Sequence, residues 1–408
     1  MIYGSISMNI ELQCRFSAVI LASVCCCLGS APLFAAPFIP ADNAQVLEKL
    51  PTKPSDPAAQ ELRELRDALA RDPGKPDRAV ELAQRYFDLA SAEGDPRYIG
   101  YAEAVIRPWL AGQNIPTEIL FTRALLRQYR HDFLTAMDDL DTVLARDAAH
   151  ADALAWKWAL YMAMADYAHA REGCEKRKAV ASVLSIVACS ATIDSLTGNA
   201  RAAYAALDSA FRRDPKRTPE NRQWMLTRLG EIALRAGDPV RAERHFVDAI
   251  ATGVTSGYVL AAYADLLLDL KRPADVVRLL KDWTRSDIQL LRLAIAENSL
   301  GTQNAPALIR ALADRFSDAA LRGDKLHLAE EARFELILRN NPARAVELAV
   351  ENWELLQREP YDARILLETG LGAKNALAAR PALDWLRRTG YEEVRFRELG
   401  KALEKVAQ

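Results

Sequence analysis

From residue 58 onward the chain alternates between stretches whose apolar residues recur every three to four positions and short polar breaks. The breaks include "RDPGKPD", "AEGDP", "GQNIPT", "RRDPKRTP", "RAGDP", "LKRPA", "RNNP" and "REPYD". They leave segments of about 12–18 residues with helical periodicity. Alternating Val/Ile/Thr runs joined by Asn-Gly turns, which strands and hairpins need, are missing from these stretches. The pattern predicts an all-α chain of paired helices with short turns.

The alanines give the pairing a period. Ala136 and Ala170 are 34 positions apart, and Ala170 and Ala203 are 33 apart; each lies early in a helix that follows a turn. In "LTGNARAAYAALDSAFRRDP" the order is Gly198, Ala203, Leu207, Ala210 and Pro215, and the next unit repeats it as Gly237, Ala242, Phe246 and Ala249. These residues resemble the tetratricopeptide repeat family, a helix-turn-helix unit of 34 residues with small residues at fixed places. Residues 117–150, 184–217 and 222–255 match well, and 326–359 in part. The units 76–110, 257–286, 287–318 and 361–391 are degenerate, and 151–184 carries Trp158 where a small residue belongs. The resemblance implies a right-handed α-solenoid of about eight to nine helix pairs over residues 58–408. The alanines then mark packing, because small side chains let helix axes approach closely while Leu207 and Phe246 fill the grooves. No pair buries its apolar stripe alone, so each needs its neighbours.

Ahead of the repeats, residues 1–36 have the parts of a secretory signal: Arg15, the apolar run "FSAVILASVCCCL", and the small residues of "GSAPLFAA". An uncleaved anchor is the alternative, although Gly29 and Pro32 interrupt the run. Residues 37–57 read as a proline-rich arm. The expectation is an exported protein, periplasmic or secreted, with no stable membrane span once the signal is removed. The leader takes four of the six cysteines, leaving Cys174 and Cys189. In an oxidising compartment that pair is a disulfide candidate, with two buried thiols as the other possibility. On the repeat register they fall on successive helices expected to pack together.

Composition narrows the chemistry. A formal net charge of -2 provides no basic footprint, so no nucleic-acid partner is expected. A phosphate-cradling glycine loop, His-Glu-x-x-His, Gly-x-Ser-x-Gly and CxxC beyond the leader are all absent from the sequence. The histidines His131, His150, His169, His245 and His327 lack metal-ligand spacing. We therefore expect no catalytic residues, no cofactor and no metal.

What remains is the concave face that the resemblance implies, built from the first helix of each pair. By the family pattern it carries Phe121, Tyr129, Trp224, Glu231, Arg235, Tyr258 and Asp265, with the aromatics as anchors and the charges setting preference. Boundary shifts would turn part of this set into packing between repeats. The function expected is a non-enzymatic adaptor or scaffold of the cell envelope that holds a peptide or protein segment in this groove. The alternative is a helical-toroid glycan-processing enzyme, which would need two carboxylates across a cleft and sugar-stacking aromatics.

Overall fold

The computed structural model of the protein describes residues 57–112 and 114–406. The signal segment 1–36 and residues 37–56 of the arm lie outside the described residues. The chain divides after Ala59 into two units. Of the first only Pro57–Ala59 are described, and the architecture is that of Gln60–Gln408.

The described residues form twenty helices and no strands. Helix α1 (Pro57–Arg71) precedes nine antiparallel pairs. The first four are α2 (Pro76–Glu93) with α3 (Arg97–Leu110), α4 (Thr117–Tyr129) with α5 (Phe133–Arg146), α6 (Ala151–Ala163) with α7 (Tyr167–Arg177), and α8 (Val183–Leu196) with α9 (Ala200–Arg213). The middle three are α10 (Pro219–Arg235) with α11 (Pro239–Ile250), α12 (Gly257–Asp269) with α13 (Pro273–Leu280), and α14 (Asp287–Leu300) with α15 (Ala305–Leu321). Last come α16 (Leu328–Ile337) with α17 (Pro342–Glu354) and α18 (Pro360–Gly372) with α19 (Arg380–Thr389), and α20 (Val394–Val406) closes the array. The chain is an all-α solenoid of tetratricopeptide-like pairs, and the degenerate units form pairs just as the well-matched ones do.

Local chemistry explains the helix starts. Several of the breaks seen in the sequence place a short polar residue before a proline at the first helical position, where the missing N–H is not needed. Thr218 caps α10 by accepting from the Asn221 N–H, Asp238 caps α11 from Arg241 at 2.9 Å, and Asn341 caps α17 from Arg344. The turn inside each described pair contains one residue of positive φ: Gly94, His131, Ala165, Gly198, Gly237, Lys271, Gly301, Asn340 and Lys374. Glycine takes that conformation freely, whereas a side chain there costs about 1–2 kcal/mol. Five of the nine turns carry that cost, so the glycine that would mark them is missing from the sequence.

The repeating alanines are packing residues. Ala203 is 3% exposed, and Leu207, Ala242 and Phe246 are fully buried. Gly230 lies under the Phe246 ring so closely that a Cβ on it would sit 2.7 Å from a ring carbon. Trp158 finds its room through its partner, since the residue facing it across the third pair is Gly173.

The first helices of successive pairs pack on one another: α2 on α4, α12 on α14 and α16 on α18. The array also turns back on itself. Helix α12 touches α2, five pairs earlier. The Arg358 N–H, just before α18, donates to the Ala163 carbonyl at the end of α6 at 2.9 Å. The Ala200 N–H at the start of α9 donates to the Glu392 carboxylate at 2.6 Å, and the indole N–H of Trp385 donates to Tyr167 at 3.3 Å. Leu196 of α8 belongs to the same apolar core as Leu367 and Trp385. Elements far apart in sequence thus cover one another's inner faces.

Candidate partner-binding face

The inner face is built on arginines embedded in the apolar runs of first helices. Arg228 on α10, Arg292 on α14, Arg333 on α16 and Arg364 on α18 all sit beside apolar positions, and Arg292, Arg333 and Arg364 are at most 7% exposed. Buried guanidinium groups need matched carboxylates, because an unpaired charge in this environment is expensive.

Two charge clusters result. In the first, the guanidinium of Arg228 lies 5.7 Å from the Trp224 ring centre and 5.1 Å from that of Tyr258, and pairs with Glu231 at 2.9 Å. The Tyr258 hydroxyl donates to Glu231, and Arg235 donates to the Ser195 hydroxyl at 2.9 Å while lying 3.9 Å from Glu231. In the second cluster, Asp265 accepts from Arg292 at 2.6 Å and from Arg333 at 2.5 Å. Burial alone would raise the Asp265 pKa, but Arg292, Arg333 and Arg364 outweigh it and hold the carboxyl well below the usual range. Arg364 in turn pairs with Asp269 and Glu368, and Arg395 of α20 joins the same two acids.

The structure brings Trp224, Glu231, Arg235 and Tyr258 together around Arg228. Asp265 on α12 is engaged by its own arginines. Phe121 is 5% exposed and packs on the His150 ring at 5.0 Å between centres. Tyr129 is half-buried and donates to the Ala90 carbonyl at 3.5 Å. Trp224 and Tyr258 stand open at 37% and 51% exposure, while Glu231 and Arg235 are buried. Trp224 and Tyr258 are therefore the most exposed members of this set.

Sequence reasoning missed Arg228, Arg292, Arg333 and Arg364. A signal was present: "LTRLG", "LLRLA", "EARFE" and "DARIL" each place an arginine beside apolar residues of a first helix. Cys174 and Cys189, on α7 and α8, are joined by a disulfide with their Cα atoms 5.9 Å apart. No cluster of three or more metal-ligating side chains occurs among the described residues, and none of their helices is long and apolar enough to cross a membrane.

No family model matches the chain, and no curated protein matches it. Among solved structures it is similar to a tetratricopeptide repeat protein from Parabacteroides merdae, at 13% identity over 71% of this chain and 98% of that one, with a TM-score of 0.27. It is similar also to the Cut9-Hcn1 hetero-tetramer of APC/C, at 12% identity over 86% and 94% of the two chains and a TM-score of 0.28. A third is the P58(IPK) TPR domain, at 13% identity over 86% and 93% and a TM-score of 0.22. The fold assignment rests on the helix pairs themselves.

Proposed function

We propose that this chain is a non-enzymatic scaffold of the cell envelope, exported through its N-terminal segment, which holds a peptide or protein segment against the Trp224–Tyr258 face. The observation that carries the reading is the exposure of these two aromatics beside Arg228. Large aromatics beside a fixed guanidinium are the residue types that concentrate binding energy in protein interfaces. Arg228 and Glu231 are already paired, so they add direction to the contact without an unpaired charge to bury. The Cys174–Cys189 bond supports an oxidising compartment.

The test is site-directed photocrosslinking in the exporting cell. A photoreactive residue at Trp224 or Tyr258 should trap one discrete partner, and the same residue at Leu321, which is 84% exposed, should not. The variant Trp224→Ala with Tyr258→Ala should stay folded and lose that partner. Undiminished capture by the folded double variant would move the binding face elsewhere.

A further inference from the structure

A cavity of about 410 Å³ lies where the third pair meets the eighth and ninth. Its lining includes Met164, Trp353, Arg358, Arg380, Trp385 and Arg388. Asp384 is the one carboxylate on its wall. Asp384 is already bonded by Arg387 at 3.0 Å and lies 3.9 Å from Arg380. Arg358 and Arg388 form no ion pair with any carboxylate among the described residues. The Nε of Arg358 is buried and finds no acceptor, and its guanidinium sits 5.9 Å from the Trp353 ring centre.

That arrangement differs from the buried arginines of the inner face. Arg292, Arg333 and Arg364 each have a carboxylate partner, whereas Arg358 is kept half-buried beside the like charge of Arg388. Burial, and then Arg388, lower the Arg358 pKa, so holding this charge in place is a cost to the fold. Backbone geometry fixes it there: the Arg358 N–H is tied to the Ala163 carbonyl. Leu356 and Ala165, in the two loops that meet at the cavity, both have positive φ. An excess of two guanidinium groups over carboxylates, in a volume within the range of small-molecule sites, is what a small anion requires.

We propose that this cavity binds a small dianionic oxyanion, such as a phosphate monoester or dicarboxylate. Arg358 and Arg388 hold the anion. Because Met164 and Ala165 come from the third pair and the arginines from the eighth and ninth, the bound anion also fastens the closure of the array. This proposal is independent of the Trp224–Tyr258 face.

The test is calorimetric titration of the full chain with phenyl phosphate, phthalate, phenol and benzylamine, accompanied by tryptophan fluorescence. Phenyl phosphate, phthalate or both should bind saturably and raise the melting temperature, and their relative affinity identifies the anion class. Phenol and benzylamine should not bind. Arg358→Gln and Arg388→Gln should each weaken binding about tenfold or more, as expected for loss of one charge-assisted contact. Arg212→Gln, which does not line the cavity, should leave it unchanged. Arg358→Gln should also keep or raise the melting temperature of the unliganded chain; should that variant not fold, the exposed Arg388 gives the same reading. No saturable binding of either dianion, or equal binding by folded Arg388→Gln, would overturn the proposal.

Discussion

The guanidinium of Arg364 on α18 bonds both carboxylate oxygens of Asp269 on α12, at 2.8 and 3.0 Å, across 95 positions of sequence. Its Nε simultaneously donates to Glu368 at 2.9 Å. Only a planar fork can serve two carboxylates in this way. Arg364→Lys keeps the charge but offers one point of contact, so it should destabilise the protein by about 1–3 kcal/mol. The urea midpoint measures this, and an unchanged midpoint would show that the fork is dispensable.

Two buried groups set opposing pH dependences. Asp362, on the first turn of α18, accepts from Asn352 at 2.9 Å and from the Glu359 N–H at 3.0 Å. Burial, reinforced by the Glu359 charge, pushes it from 3.8 up to about 7. Between about pH 4 and 7 the folded form therefore holds a proton that the unfolded form has lost, and stability falls as pH rises through that window. His131 runs the other way: burial, and then His327, lower it from 6.5 to about 4. Its contribution is present above pH 6.5 and is lost as pH falls toward 4. As far as these two groups set it, wild-type stability should be nearly flat between about pH 4.5 and 6.5. Asp362→Asn should make it fall on acidification, by at most about 1.4 kcal/mol per pH unit, and His131→Asn should make it rise. Urea titrations at three pH values decide the signs.

Glycines in two helices separate packing from propensity. A Cβ on Gly230 would meet the Phe246 ring at 2.7 Å, whereas on Gly400 its nearest contacts would be at 3.7 and 3.8 Å. Gly230→Ala should cost about 1–3 kcal/mol through overpacking. Gly400→Ala should stabilise by about 0.5–1 kcal/mol, because alanine is the better helix former. Equal effects in thermal melts would contradict the packing described for α10 and α11.

The bond between Cys174 and Cys189 spans 15 positions. A loop of that size corresponds to roughly 3 kcal/mol in the chain-entropy account of disulfides. Reduction should lower stability by up to that amount, and a peptide map of the unreduced protein should link the two cysteines. Recovery of both as free thiols would contradict the bond.

The helix pairs were legible because they obey local rules. Ala203, Leu207, Ala242 and Phe246 announce themselves by spacing, and all four are buried. Gly198 and Gly237 mark turns that His131, Ala165 and Lys271 also make, but with side chains that give no such signal. The inner face was less legible because its partners lie far apart: Arg333 reaches Asp265 across 68 positions and Arg395 reaches Asp269 across 126. A pattern read one repeat at a time places Asp265 and Glu231 on the right helices, yet it carries no trace of which arginines occupy them.

The central claim is that the array closes on itself through its inner face. A double-mutant cycle on Asp269→Ala and Arg364→Ala measures that contact directly, since residues in contact couple and distant ones add. The account predicts a coupling of about 1–3 kcal/mol between helices that belong to the sixth and ninth pairs of the chain. Strict additivity of the two substitutions, within about 0.3–0.5 kcal/mol, would mean that α18 does not meet α12 and that the solenoid is open.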